Sequence, residues 1–162
     1  MKELKLEISR LLKNLLGSRL TAIILFGSSI YMGRGEDVDL LIVVNHIDSL
    51  DEKLDLEEEI KCFLNRSFNY EVIFDAHVLS LNQFRENLRI GSFLSGLSLG
   101  YQIIYDRSNM IEEEILEMLK SLSKSRYIIV NKYGRWNLSK IAEIKLRIRE
   151  TSRDEDLTNK VF

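Results

Sequence analysis

The sequence predicts an α/β (α+β) layer fold: a small mixed β-sheet of about four strands packed by helices, followed by a C-terminal helical extension. Two observations carry that expectation. Short apolar runs rich in β-branched residues alternate with longer stretches whose leucines and isoleucines recur at helical spacing. The 162 residues include 45% hydrophobic and 30% charged side chains, the balance of a folded domain with one buried core.

The elements follow in order. Residues 2–16 place Leu4, Ile8, Leu11, Leu12 and Leu15 on one stripe and stop at Gly17, which reads as a helix. Residues 20–26 (LTAIILF) are nearly all apolar and short, as in a buried strand. Gly27-Ser28-Ser29 closes that strand, and 30–35 reads as a turn or short helix with two more glycines. Residues 37–44 (DVDLLIVV) predict a second buried strand. A helix follows over 49–65, capped by Ser49, with Leu54, Leu56, Ile60, Phe63 and Leu64 facing inward. Residues 70–79 predict a third strand, 81–90 and 93–99 two short helices parted at Gly91, and 101–105 a short edge strand. Ser108 is placed to cap a helix reaching Leu122. Beyond it, 138–148 reads as a basic amphipathic helix and 151–162 as a flexible polar tail. The expected division is a first domain over 1–122 and a basic, mainly helical extension over 123–162.

Composition narrows the function classes. The chain holds one cysteine, Cys62, so neither an internal disulfide nor a cysteine-based metal cluster can form. No apolar run approaches a bilayer span, and the first residues pattern as an amphipathic helix rather than a secretory leader; the expected setting is the cytoplasm, with no membrane partner. There is no proline, so glycine, asparagine, aspartate and serine must shape the loops. The net charge of −2 conceals a polarity. Residues 36–59 carry ten acids against one lysine, and 124–149 carry eight basic residues against one glutamate. Three readings of the basic stretch stay open: a solvated helix face, a nucleic-acid patch, or a docking surface for an acidic partner, including a second copy in a homodimer. The acidic overall pI of 5.8 disfavours a dedicated nucleic-acid binder.

The chemistry concentrates in Leu25–Val44. Asp37 and Asp39, one residue apart at a strand start, project from one face. Like charges placed beside apolar Val38, Leu40 and Leu41 call for a cation, and oxygen-only ligands suit Mg²⁺ or Mn²⁺. Gly27, Ser28 and Ser29 follow a buried strand and open a turn, where exposed backbone N–H groups can cradle a phosphate. A phosphate cradle beside paired metal carboxylates describes nucleotide chemistry.

The stretch resembles the nucleotidyltransferase superfamily of the DNA polymerase β type, in particular the small minimal nucleotidyltransferases. Gly27 and Ser28 match the family's Gly-Ser pair, Gly33 or Gly35 its loop glycine, and Asp37 and Asp39 its metal carboxylates. The resemblance extends from about residue 20 to 105. It implies a third carboxylate on a following strand, for which Asp75 is the candidate and Glu71 the runner-up on the same strand face. The implied mechanism is a two-metal transfer: Asp37 and Asp39 hold the ion bound to ATP, Ser28 and the 27–29 backbone grip the phosphates, and Asp75 completes the second metal site. AMP would pass from ATP to a hydroxyl acceptor. The resemblance also implies a role as antitoxin to an all-helical HEPN partner. Two departures stand against the pattern: only eight residues separate Ser28 from Asp37, where the family more commonly has about ten, and Glu36 replaces the usual serine. They favour the alternative, a catalytically inactive nucleotide- or partner-binding module of the same fold. His77 reads as a strand-end histidine bonded to a neighbour or touching substrate, His46 as a turn residue and Cys62 as packing. Trp136 reads as core or interface packing, or as a stacking platform for a base.

Overall fold

The computed structural model describes residues 2–158, with side chains through 152. The described chain divides into two compact units. The first comprises the chain up to Asn87 together with Gly100–Glu112; the second comprises Leu88–Leu99 and the chain from Glu113 onward.

The first unit is built on a four-stranded mixed sheet in the order β3-β2-β1-β4, the fold class expected. Strand β1 (Leu20–Phe26) pairs antiparallel with β2 (Val38–Val44) and with β4 (Gln102–Asp106), while β2 pairs parallel with β3 (Phe74–Ser80). The continuous apolar sequence of β1 and β2 follows from their central places: both faces of a central strand are buried, so alternation is lost. Helix α1 (Lys2–Leu16) and α3 (Leu50–Ser67) cover one face. Ile8, Leu12, Leu56, Ile60 and Leu64 pack there against Leu40, Ile42, Val44, Phe74, Ala76 and Val78. Helix α4 (Leu81–Asn87) packs on β2 and β3, with Phe84 fully buried.

Ser49 caps α3, its hydroxyl accepting from the Glu52 amide at 3.1 Å. Leu54 is exposed rather than inward, because it lies two residues, about 200°, from the buried Leu56–Ile60–Leu64 stripe. The third strand begins at Phe74, four residues later than the sequence predicts. Asn69 and Tyr70 take left-handed backbone angles (φ 50° and 58°) and turn the chain out of α3, which leaves Glu71 in that turn. At the start of α5 (Ile111–Ser123), Asp106 supplies the main cap: its carboxylate accepts from the amides of Ser108, Asn109 and Ile111. Ser108 itself accepts from the Met110 amide.

The second unit holds the 3-10 turn Phe93–Ser98, most of α5, the hairpin β5 (Ile128–Asn131) with β6 (Gly134–Asn137), and α6 (Leu138–Thr158). The hairpin is absent from the sequence expectation of a mainly helical extension. Its strands are only four residues long, too short to show an alternating pattern, and Gly134 (φ 131°) supplies the turn. Ser139 ties hairpin to helix by accepting from the Tyr127 amide at 2.9 Å. Helix α6 continues past Ile148 to Thr158; residues 159–162 of the expected tail lie outside the described residues. No helix among the described residues is long and apolar enough to cross a membrane.

Candidate active site

The end of β1 turns at Gly27, whose backbone (φ 76°, ψ −171°) is a conformation that side chains other than glycine's rarely adopt. Its carbonyl accepts from the amides of Ile30 and Tyr31, which winds Ser28–Tyr31 into the short helix α2. A second constraint acts at Gly27. A methyl group there would lie 1.8 Å from Asp39 Oδ2 and 2.6 Å from its Cγ. The Asp39 carboxylate therefore rests on the Gly27 backbone, at the mouth of α2. The two loop glycines differ in kind. Gly33 is required by its backbone angle (φ 67°) and has open space around it. At Gly35 the fit is close: a methyl group there would stand 3.1 Å from the Ser29 amide and 3.2 Å from Ser28 Oγ. The loop thus folds back over the two serines. Ser29 Oγ is buried without a hydrogen-bond partner among the described residues.

Asp37 stands immediately before β2 and Asp39 inside it, on one face by strand alternation. Both are half-buried. Asp39 is in register with Phe26 on β1 and with Asp75 on β3, so Asp39 and Asp75 occupy directly opposed positions on neighbouring parallel strands. The sequence expectation named these three carboxylates; the register relates Asp39 to Asp75, and strand alternation relates Asp37 to Asp39. Their immediate partners differ. Asp75 Oδ1 lies 3.2 Å from the Lys61 ammonium and Oδ2 lies 3.6 Å from His77 Nε2. The His77 ring in turn leans on Phe26, with centroids 5.9 Å apart. The Asp75 bond holds Lys61 above the ordinary lysine range, with partial burial working the other way. Among the described residues no group of three or more His, Cys, Asp or Glu is arranged to hold a metal ion. Asp37 and Asp39, two half-buried carboxylates on one strand face, are the oxygen donors of which Mg²⁺ commonly takes one or two, completing its shell with phosphates and water. Glu71, in the turn before β3, does not share the Asp75 strand face.

Sequence reasoning missed Lys61, and the fold shows the signal that could have found it. Glu57, Lys61 and Asn65 recur at i, i+4 and i+8 on α3, the spacing of one helix face. Strand β3 is a sheet edge, and this stripe covers it. Asn65 Oδ1 accepts from the Phe74 amide at 2.9 Å and Glu57 Oε1 from the Val78 amide at 2.8 Å. Lys61 sits between these two anchors, opposite Asp75.

The remaining candidates take structural roles. His46 bonds Asp48 at 2.7 Å at the exit of β2, Cys62 contacts Glu58, and the Trp136 indole N–H donates to Asn131 across the hairpin. In the basic stretch, Lys140 and Arg147 both pair with Glu143, while burial lowers the Lys145 ammonium below the lysine range.

No protein-family model matches the chain, and no curated protein matches it in sequence. Solved structures do show similarity. A chain of the MntA–HepT toxin–antitoxin complex is 14% identical with a TM-score of 0.46, over 75% of this chain and 86% of that one. The complex of tri-AMPylated Shewanella oneidensis HEPN toxin with MNT antitoxin gives the same values. Spectinomycin adenyltransferase AAD(9) from Enterococcus faecialis, with ATP and spectinomycin, is 12% identical with a TM-score of 0.44, over 75% of this chain and 66% of that one. This is similarity of chain path, and the site is read from its own geometry.

Proposed function

We propose that the chain is a nucleotidyltransferase that moves AMP from ATP to a hydroxyl group. The observation that carries this reading is the contact of Asp39 with the Gly27 backbone, beside the orphaned Ser29 hydroxyl. A cation held at that carboxylate would lie next to the glycine turn, where a phosphate can be bound. The turn would supply the phosphate half: the amides of Ser28 and Ser29, which precede the first amide bonded to the Gly27 carbonyl, and the buried Ser29 hydroxyl. The strand supplies the cation half: Asp37 and Asp39 would hold Mg²⁺ delivered with ATP, which neutralises phosphate charge when bound. Ser28 and Ser29 would orient the triphosphate, and Gly35 lets the loop close over them. Asp75, on the same sheet face, would accept a hydrogen bond from the acceptor hydroxyl and direct its oxygen at the α-phosphorus. The bond from that oxygen forms, the bond to pyrophosphate breaks, and the hydroxyl proton leaves to carboxylate or solvent. Positioning and charge stabilisation would supply most of the rate.

The acceptor and partner belong to the same proposal: a tyrosine hydroxyl of a helical HEPN-type protein, with this chain as its antitoxin. The resemblance of the motif around Gly27, Ser28, Asp37 and Asp39 supports it. The second reading, an inactive binding module, is favoured by the ion pair that already occupies Asp75. One experiment separates them. MgATP labelled at the α-phosphate is incubated with the chain, with and without a HEPN-type protein encoded beside it. Label on protein, lost in Asp37→Asn, is the expected result. Nucleotide binding without label transfer, unchanged in Asp37→Asn, would favour the binding module.

A further inference from the structure

The β5–β6 hairpin leaves one apolar face in water. Ile128 and Val130 alternate onto the same side of β5 and are 43% and 78% exposed. Cross-strand register sets Asn137 opposite Ile128 and Arg135 opposite Val130, so these two exposed polar residues share that side. Ile129 and Trp136 oppose each other on the other side and are partly buried. Beside Ile128 opens a recess of about 270 Å³, lined by Arg126, Ser125, Ser139, Asn137 and the Lys140–Glu143 pair. Arg126 and Arg135 enter no ion pair among the described residues.

This combination selects its partner. Nucleic-acid bases stack on aromatic planes, and the exposed residues here are aliphatic. Two aliphatic side chains flanked by unpaired guanidinium groups fit a protein surface that offers aliphatic and acidic side chains together. The outer side of α3 is such a surface. Leu50, Leu54 and Glu58 form one row at i, i+4 and i+8, with the leucines 68% and 53% exposed. Asp51, Asp55 and Glu59 form the adjoining row, all exposed and without an ion pair among the described residues. Like charges four residues apart on a helix repel, so that row gains from cationic neighbours.

We propose that the chain self-associates through these two faces: the Ile128–Val130 face of one copy receives the Leu50–Leu54 side of α3 from a second copy, with Arg126 and Arg135 meeting Asp51, Asp55 and Glu59. None of these residues belongs to the nucleotide site, so the inference stands apart from the nucleotidyltransferase reading.

The test is sedimentation velocity on the full chain over a concentration series. At low ionic strength the weight-average mass of wild type is expected to rise above the 18.9 kDa of a single chain, and at high salt to return to it. Two charge reversals, Asp51→Lys/Asp55→Lys and Arg126→Glu/Arg135→Glu, should each be monomeric when alone, because each makes the two faces alike in charge. Mixed together they should associate again, since either reversed face then meets its opposite. All four positions are exposed, so both variants should keep the fold, which a thermal melt checks. Wild type that stays monomeric at every salt and concentration would overturn the inference, including one whose hairpin face instead binds RNA or another acidic protein. So would association that both reversals leave unchanged, or folded variants that fail to associate when mixed.

Discussion

Asp39 and Asp75 have the same residue type, the same sheet face and the same register position, yet the molecule treats them in opposite ways. Asp39 belongs to a central strand and is pressed on a glycine turn that no side chain could replace. Asp75 belongs to an edge strand, and the helix that covers that edge hands it a lysine. The lesson is that equivalence in strand register does not make two carboxylates equivalent ligands. What lies beside the strand differs: a glycine turn at Asp39, and at Asp75 a packed helix with its lysine.

The strongest way to break the Asp39 side is Gly27→Ala. The left-handed angle alone costs about 1–3 kcal/mol, and the methyl group collides with the carboxylate, so AMP transfer should vanish and the thermal midpoint fall. A Gly27→Ala protein with wild-type label transfer would contradict the cradle. Asp39→Asn is a milder break. It should lower transfer by about 10²–10³-fold, with a midpoint equal to or above wild type because a clustered negative charge is removed.

On the Asp75 side, Asn65→Ala tests the edge clamp. The Phe74 amide lies in a buried residue and would lose its acceptor, a loss of about 1–3 kcal/mol. Urea denaturation measures it, and an unchanged midpoint would show that the stripe does not hold the edge. The smallest expected effect is in alkali. Folding raises Lys61, so its pairing contributes fully at neutral pH and is lost as pH climbs through the folded value. From about pH 10 upward, wild type should therefore lose slightly more stability than Lys61→Met in parallel urea melts. Equal pH profiles would show that the pair adds nothing to stability.

Much of this was legible in the sequence. The four-stranded sheet, the Ser49 cap and the turn at Gly27–Ser29 followed from apolar runs, helical spacing and a glycine directly after a buried strand. Pairs at fixed separation, such as Asp37 and Asp39, are legible because strand alternation forces them onto one face. The family resemblance offered Asp75 as a third carboxylate but not its register opposite Asp39, since pairing between strands thirty-odd residues apart leaves no local pattern. Three things were hidden. The start of β3 depended on left-handed angles at Asn69 and Tyr70, which are not glycines and so carry no flag. The β5–β6 hairpin has strands too short to show alternation. Lys61 looked like one charge among many on α3, and it gains meaning only once β3 is known to be an edge under that helix face.

The central proposal is that Asp39 serves the nucleotide and its ion, whereas Asp75 pairs with Lys61. Calorimetric titration of adenosine 5′-(α,β-methylene)triphosphate with Mg²⁺ into wild type, Asp39→Asn and Asp75→Asn tests it most directly. The account predicts a loss of affinity of about tenfold or more for Asp39→Asn, and for Asp75→Asn an affinity equal to wild type or tighter, because Lys61 is released. Equal losses in the two variants would contradict it.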